Sequence, residues 1–119
     1  MPNRKKHCPD LEYQIARTLQ RTKQRFVDDF SYKIPEIEAL QILIQNEAER
    51  SNALRRLAFI THQFGGIAAT LSLQDIGDCA AEIEQLIAGF NQTPMQLCSL
   101  SERIETLLDL MEDALVEAL

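Results

Sequence analysis

Residues 54–71 have the sequence LRRLAFITHQFGGIAATL, and this stretch decides the fold class of the chain. Its apolar residues recur every three or four positions, a spacing that places them on one face of an α-helix. They form one stripe centred near Phe64, which consists of Leu54, Leu57, Ile60, Thr61, Phe64, Ile67, Ala68 and Leu71. The stretch therefore predicts a long amphipathic helix with this stripe, Ile67 included, turned inward and with His62 on the opposite, polar face.

The polar face around His62 carries small residues on the turns above and below the histidine, namely Ala58, Gly65, Gly66 and Ala69. Each glycine inside a helix costs roughly 1 kcal/mol relative to alanine, so some benefit should offset this cost. The two glycines either let a neighbouring helix pack closely or let another protein approach the imidazole without meeting a side chain. Both project towards the histidine side, which favours the second interpretation.

The rest of the chain also shows helical spacing, and no segment has the alternating pattern of a β-strand. Asp10 is the predicted cap of a first helix, and Ile34-Pro35 is the predicted break or kink, because proline lacks an amide donor. Residues 47–50 are either a loop or the fraying end of the helix before them, and Ser51 or Asn52 is expected to cap the helix that carries His62. The apolar residues of the first region are Leu11, Ile15, Leu19, Phe26, Phe30, Ile37, Leu40 and Ile44.

Clear boundary signals mark the last two helices. Ser72, with Asp75 three residues later, predicts the capped start of a helix that ends near Gly89. Thr93-Pro94-Met95-Gln96 combines a capping threonine, a proline at the first helical position and a glutamine at the third. Short connections favour antiparallel neighbours, so we expect an all-α fold: an up-and-down antiparallel four-helix bundle with an additional N-terminal helical segment. The last helix carries an almost heptad-like apolar stripe of Leu97, Leu100, Ile104, Leu107, Leu108, Met111 and Leu115.

Composition limits the domain organisation and the classes of function. The 119 residues are 45% hydrophobic, which predicts one domain with a single core at residues 10–119, preceded by a flexible basic tail at residues 1–9. There is no run of about 18 apolar residues and no apolar stretch of a signal peptide, so we expect a cytoplasmic protein without a membrane span. The net charge of -6, with scattered basic residues, argues against nucleic-acid binding.

The cysteines give no disulfide framework and no metal site. An odd number of cysteines, three, in a chain without a secretory signal argues against a disulfide framework. Cys79 lies on the apolar side of its helix and is expected in the core, whereas His7-Cys8 and Cys98 lack the spacing of metal ligands. We expect neither a metal nor a cofactor, and the chain has no Gly-rich phosphate loop that would indicate an enzyme.

The residues around His62 resemble the histidine-containing phosphotransfer (HPt) domains. The signature of that family is a helix carrying His, two residues, Lys or Arg, Gly and then a small residue, and here this register is His62-Gln63-Phe64-Gly65-Gly66-Ile67. The family continues with an alanine-rich turn, a leucine-bearing junction and a helix with Cys and a Leu/Ile-Glu pair. The corresponding segments here are Ala68-Ala69-Thr70-Leu71-Ser72-Leu73 and Cys79-Ala80-Ala81-Glu82-Ile83-Glu84. The motifs cover about a third of the chain, and the helical layout covers most of the remainder.

One position departs from the family pattern. Gly65 stands where the family usually has Lys or Arg, a cation thought to lie beside the phosphoryl group and offset its charge. Arg55 is on the same face but about two turns away, roughly 10 Å along the axis, which makes it a weak substitute. The departure lowers the expected ability of His62 to hold phosphate.

The resemblance implies a phosphorelay intermediate of a two-component system, a carrier rather than an enzyme. His62 would accept a phosphoryl group from the aspartyl phosphate of a receiver domain and pass it to another, with the partner supplying the magnesium ion and catalytic groups. Receiver domains and a hybrid histidine kinase are the expected partners, and we expect a monomer. The expected docking surface consists of Ala58, Phe59, Gly65, Gly66, Ala69 and Leu73, with Gln63 and Arg55 at its edge.

Two other functions are compatible with the sequence. The first is an HPt-like adaptor that binds a receiver or kinase without phosphotransfer, in which Gly65 records the loss of transfer. The second is a structural helical bundle that dimerises through its long last helix. Phosphoryl transfer to wild type but not to His62→Gln distinguishes the relay from both.

Overall fold

Five helices make up the part of the chain that the structure describes. The structure is a computed structural model that describes the backbone of residues 2–119 and the side chains of residues 10–119. The helices are α1 (Pro2–Asp28), α2 (Phe30–Ile44), α3 (Glu47–Thr70), α4 (Gln74–Ala88) and α5 (Pro94–Ala118). The side chains of the predicted flexible tail at residues 1–9, with its basic cluster Arg4-Lys5-Lys6 and the pair His7-Cys8, lie outside the described residues.

The helices form a closed ring of four with a fifth helix at its side. Helix α2 packs against α3, α3 against α4, α4 against α5, and α5 returns to α2, while α1 packs against α5 and α2. This arrangement confirms the predicted four-helix bundle with an additional N-terminal helical segment. The fully buried large side chains that fill the ring are Phe30, Ile37, Ile44, Leu57, Ile60, Thr61, Ile83, Leu100, Ile104, Leu107 and Met111.

Three phenyl rings join α1, α2 and α3 at one end of the core. The ring centroids of Phe26 and Phe30 are 5.0 Å apart, and that of Phe64 lies 5.2 Å from Phe26 and 5.5 Å from Phe30. Two of the three pairs meet edge to face, the arrangement that the quadrupoles of aromatic rings favour. Phe64, on which the apolar stripe of the sequence is centred, thus anchors the histidine-bearing helix to both N-terminal helices.

The structure corrects two expectations in the N-terminal half. Asp10 lies inside α1 and caps nothing, because α1 begins at Pro2, where a proline is favoured in the first helical turn. The chain does not break at Ile34-Pro35; α1 and α2 are separated at Asp29, and Pro35 lies within α2 on its exposed side. The burial of Ile37 and the rest of the apolar face offsets the one hydrogen bond that proline removes.

The start of α3 is one and a half turns earlier than expected. Residues 47–50 are neither a loop nor a frayed end but the first turn of α3, so Ser51 and Asn52 lie inside the helix. Asn46 is the cap, and its side-chain oxygen accepts a hydrogen bond from the amide of Ala48 at 3.0 Å. Asparagine is among the best capping residues, and the negative charges of Glu47 and Glu49 in the first turn interact favourably with the positive end of the helix dipole.

The junction between α3 and α4 also differs from the expectation. Ser72 does not cap α4; it has a positive φ of 62°, and it ends α3 instead. The amide of Leu73 donates to the carbonyl of Ala68 at 2.9 Å, which is the hydrogen bond of a Schellman helix end. The later boundaries are confirmed: α4 stops at Gly89, and the Thr93 side chain and Gln96 form the predicted capping box of α5.

Candidate functional site

His62 lies in the middle of α3 with 75% of its side chain exposed. The site depends on a close approach of α4, which runs antiparallel to α3. A Cβ atom placed on Gly77 of α4 would lie 3.3 Å from the Cβ of Ala68, so glycine at this position lets the two helices approach. Two turns further along α4, Glu84 reaches the histidine.

A hydrogen bond joins the His62 ring to α4. The Nδ1 atom of His62 lies 2.8 Å from Oε2 of Glu84. Because a carboxylate only accepts hydrogen bonds, Nδ1 carries the proton and donates it. The neutral ring then has its free lone pair on Nε2, the nitrogen on the far side of the ring from Glu84. The arrangement fixes both the tautomer and the direction of the nucleophilic atom.

The two glycines beside His62 serve different purposes in the structure. A Cβ atom on Gly65 would lie 4.0 Å from the carbonyl oxygen of Gly77, so Gly65 faces the backbone of α4. A Cβ atom on Gly66 would have nothing within 4 Å, so Gly66 faces open space. Each of the two interpretations drawn from the sequence therefore applies to one glycine: helix packing at Gly65 and an open approach at Gly66.

The exposed surface around His62 is partly apolar. Phe59 is 52% exposed, and Gln63, Gly66 and Ala69 are exposed as well, whereas Ala58 and Gly65 are half-buried. Ile67 was expected to point inward; that expectation was wrong, since its side chain is 42% exposed. It lies one turn from Gln63, at the margin of the stripe, where the helix turns from the core towards solvent. We call Phe59, Gln63, Gly66, Ile67 and Ala69 the His62 surface.

Two residues of the predicted docking surface lie elsewhere. Leu73, at the start of α4, is half-buried against the core and borders a cavity with Val27 and Ala114 of α1 and α5. Arg55 borders a different cavity with Ile87 and Phe90, near the end of α4. The structure therefore does not bring these two residues together with His62.

Positive charge is scarce near the imidazole. Among the described residues of α3, the positions one turn before and after His62 are Ala58, Phe59, Gly65 and Gly66, and α4 contains no Lys or Arg. Arg56 is held by Glu36 of α2, with Nε to Oε2 at 2.5 Å and Nη2 to Oε1 at 3.1 Å. Its guanidinium carbon also lies 5.5 Å from the centre of the Phe59 ring. Within the described helices α3 and α4, no Lys or Arg therefore lies within one turn of His62 to take the place of the family's usual cation.

The pKa values of Glu36, Arg56 and Cys79 depart from their ordinary values. Hydrogen bonds from Arg56 hold the pKa of Glu36 below its ordinary value, and the same carboxylate raises the pKa of Arg56. Burial raises the pKa of the Cys79 thiol, which agrees with the predicted core position of this cysteine. Cys79 is therefore a protonated packing residue at neutral pH.

Neither a metal cluster nor a membrane span is found in the described part of the chain. Within residues 10–119, no three His, Cys, Asp or Glu side chains converge on a point where they would bind a metal ion. Of the helices described, none is both long and apolar enough to span a bilayer.

A helical bundle with an exposed histidine at mid-helix is the arrangement that phosphate-carrying signalling domains require. Comparison with known families agrees, because the sequence model of the Hpt domain matches residues 21–118. The chain belongs to the Hpt domain family. No curated protein and no solved structure matches it.

Membership of the family establishes a broad role. Hpt domains carry phosphoryl groups on histidine in two-component phosphorelays and interact with receiver domains and kinases, and they are phosphocarriers rather than catalytic enzyme domains. The sequence did not single out Glu84 as a partner of the histidine. The Ile83-Glu84 pair resembled the family, but only the register of α4 against α3 shows that Glu84 contacts His62.

Proposed function

We propose that His62 accepts a phosphoryl group from the aspartyl phosphate of a receiver domain and donates it to a second receiver. The observation that carries this proposal is the exposed imidazole whose Nδ1 is hydrogen-bonded to Glu84, in a chain of the Hpt family. The bond leaves Nε2 as the reacting atom and points it towards solvent. A partner can approach along this direction without displacing any side chain of the bundle.

The transfer step balances without any further reactant. The Nε2 lone pair attacks phosphorus in line with the bond to the aspartyl oxygen, an N–P bond forms, and the O–P bond breaks with its electron pair left on the departing carboxylate. No proton has to leave Nε2, because the proton of the neutral ring is on Nδ1. The imidazole gains positive charge in this step, and donation to a second receiver reverses it.

Glu84 is a positioning residue for this step. Its carboxylate contacts the ring only at Nδ1, so it does not touch the transferred group. A carboxylate that accepts the Nδ1 proton stabilises a ring whose charge becomes more positive, as the aspartate of a serine-protease triad does for its histidine. This interaction supports the reaction at a site without the usual cation.

The His62 surface is the proposed docking surface for the receiver. Phe59 and Ile67 supply exposed apolar area on either side of Gly66, and such area beside small residues is typical of protein contacts. On the side of this surface that faces α4, Ala58 contributes a methyl group and Gly65 contributes only backbone. Arg55, about two turns away from His62 and beside a different cavity, is not part of this surface.

The test is transfer of radiolabelled phosphate from phosphorylated receiver domains. Wild type should take up label and His62→Gln should not. Glu84→Gln should slow the transfer by about tenfold or more, because an amide cannot stabilise the charged ring as a carboxylate does. The matched control is Glu82→Gln, which alters a carboxylate of α4 that pairs instead with Arg103 at 3.4 Å.

The outcomes separate the roles of the two residues. Equal transfer by Glu84→Gln and Glu82→Gln would rule out positioning by Glu84 and leave the role of His62 intact. Label that persists on His62→Gln would overturn the assignment of the phosphorylation site. The acid stability of the label adds a second readout, since phosphohistidine loses its phosphate in acid.

A second candidate function is binding of a receiver or kinase without phosphotransfer. The observation that favours it is the absence of a cation at Gly65 and along α4 in the described structure. Receiver binding that is equal for wild type and His62→Gln, with no label on either, would select this adaptor function over the relay.

A further inference from the structure

Phe59 lies one turn before His62 on α3 and is the largest side chain of the His62 surface. Its ring is 52% exposed, and among the described side chains it belongs neither to the buried core nor to the half-buried residues around it. A solvent-exposed phenyl ring can change its rotamer, and it loses that freedom when a partner covers it. Contacts that hold the ring before a partner arrives therefore make binding tighter.

The guanidinium group of Arg56 covers one face of the Phe59 ring. The guanidinium carbon lies 5.5 Å from the ring centre, within the distance at which an arginine is attracted to the π electrons of an aromatic ring. Arg56 precedes Phe59 by three residues, so the two side chains lie on adjacent turns of the same helix. Because the guanidinium covers only one face, the other face and the edge of the ring remain for a partner.

Arg56 is itself held in place by α2. Glu36 accepts hydrogen bonds from Nε and Nη2 of Arg56, at 2.5 Å and 3.1 Å, and this two-point contact fixes the plane of the guanidinium group. The Nζ atom of Lys33 lies 3.7 Å from the same carboxylate. A partly exposed ion pair of this kind adds little to stability, so its larger effect is on orientation. A chain of contacts thus runs from α2 through Glu36 and Arg56 to the Phe59 ring.

We propose that Arg56 and Glu36 are positioning residues for receiver binding, because they hold the Phe59 ring in the orientation in which it contacts the receiver. This inference rests on the proposed docking of a receiver at the His62 surface. Arg56 acts through the ring and does not itself touch the receiver. Arg55, the arginine that the sequence placed at the edge of the docking surface, has no part in this contact, since it borders a different cavity.

The first test measures the ring itself, in the full chain without a partner. Aromatic ¹³C relaxation of Phe59 reports the motion of the ring on the picosecond to nanosecond timescale. The order parameter of the ring should be lower by about 0.2 or more in Arg56→Met and in Glu36→Gln than in wild type, because each change breaks the chain of contacts. The matched control is Arg55→Met, the same substitution at the neighbouring exposed residue, which should leave the order parameter unchanged. A ring as ordered in Arg56→Met as in wild type would overturn the inference.

The second test measures affinity by calorimetric titration of an unphosphorylated receiver, chosen because its phosphorylated form transfers label to wild type. Phe59→Ala should raise the dissociation constant by about tenfold or more, as loss of an aromatic contact at the centre of an interface does. Arg56→Met should raise it by about threefold to fivefold, because the ring remains but is no longer held. Arg55→Met should change it by less than about twofold, and an effect as large as that of Arg56→Met would overturn the inference by assigning both effects to charge.

A double-mutant cycle shows whether Arg56 acts through the ring. In a Phe59→Ala background, Arg56→Met should weaken binding no further, because the group that Arg56 positions is already absent. An equal loss of affinity with and without the ring would mean that Arg56 contacts the receiver directly, which would contradict a positioning role.

Failure of this inference and failure of the relay are distinguishable. The substituted side chains are exposed or half-buried, so thermal unfolding should show that every variant is folded. Unchanged affinity in Arg56→Met, with label still transferred to His62, would overturn the inference and leave the relay intact. A wild type that neither binds a receiver nor takes up label would contradict the proposed function, and the positioning of a receiver contact with it.

Discussion

Because Gly66 has no side chain, a partner can come close to His62. Gly66→Leu should slow phosphotransfer by about tenfold or more, because an isobutyl group would occupy the open space beside the imidazole. The helix itself should tolerate the change, since leucine favours a helix interior by up to about 0.8 kcal/mol relative to glycine. The measurement is the transfer rate together with the free energy of unfolding by circular dichroism.

Ser51→Leu is a suitable control for Gly66→Leu. Ser51 is exposed on the same helix about three turns from His62, so a leucine there should leave the transfer rate unchanged. Transfer by Gly66→Leu at the wild-type rate would show that the receiver does not approach across this face.

At the same residue scale, the sequence predicted some features of the site and not others. The exposure of His62 followed from helical spacing, because a polar residue opposite an apolar stripe faces solvent. The bond to Glu84 did not follow from it, because spacing within a helix carries no information about the register between two helices. That register depends on the close approach at Gly77, a glycine of α4 that the sequence pattern did not distinguish.

At the scale of elements, the end of α3 stores conformational strain. Ser72 has a φ of 62°, in the left-handed region that glycine occupies without the steric penalty of a Cβ atom. Ser72→Gly should therefore stabilise the protein by about 1 kcal/mol and raise the melting temperature by roughly 4 °C. The control is Ser51→Gly inside α3, which should lower the stability by about 0.5 kcal/mol.

The two serine variants test the helix boundaries directly. The sequence predicted Ser72 as the cap of α4 and either Ser51 or Asn52 as the cap of α3, whereas the structure has Ser72 at the end of α3 and Ser51 inside that helix. Equal destabilisation by Ser72→Gly and Ser51→Gly would contradict the assignment of Ser72 to a Schellman helix end. The cap of α5 was predicted correctly because the two residues of its capping box, Thr93 and Gln96, are only three positions apart. The true cap of α3 depends instead on where the preceding helix ends.

The ion pair between α2 and α3 gives the stability a pH dependence. The pKa of Glu36 is lowered in the folded state by Arg56, so the pair stabilises the fold above the ordinary pKa of a glutamate. This contribution is lost as the pH falls through the lowered folded-state value. Glu36→Gln should be less stable than wild type by about 0.2–1 kcal/mol at neutral pH, since the pair is partly exposed and solvent screens it, and the difference should vanish in acid.

Denaturant titrations of wild type and Glu36→Gln at several pH values measure this difference. Glu38→Gln is the control, because Glu38 is exposed on the same helix and has no ion pair among the described residues. A stability difference for Glu36→Gln that stayed constant from neutral to acid pH would show that packing, rather than the ion pair, accounts for it.

At the scale of the whole molecule, the sequence predicted the bundle well, but it did not show that the N-terminal half of α1 lies outside the core. The stripe around Phe64 is buried except at Ile67, and the stripe of α5 is buried except at its half-buried ends, Leu97 and Leu115, because each stripe faces the other helices of the bundle. Leu11, Ile15 and Leu19 have the same spacing but are exposed. A periodic pattern shows that a face is apolar, and only the length of the neighbouring helices shows whether the chain itself covers that face.

The packing of the whole molecule should make its unfolding cooperative. Phe64 connects α3 with Phe26 of α1 and Phe30 of α2, and it is 4% exposed. Phe64→Ala should lower the free energy of unfolding by about 3–5 kcal/mol, because it removes buried apolar area and leaves a cavity where three helices meet.

The control is Phe59→Ala, which truncates the same side chain on the same helix at an exposed position and should change stability by about 0.5 kcal/mol or less. Urea unfolding should be followed by circular dichroism and by tyrosine fluorescence in a Tyr13→Phe background, in which Tyr32 is the remaining tyrosine. The two signals should give coincident transitions with and without each Phe variant, since a small single domain usually unfolds in one cooperative step. Separate transitions for helix content and for Tyr32 would mean that α2 unfolds independently of the histidine-bearing helix, and the bundle would then not hold the His62 site as a single cooperative unit.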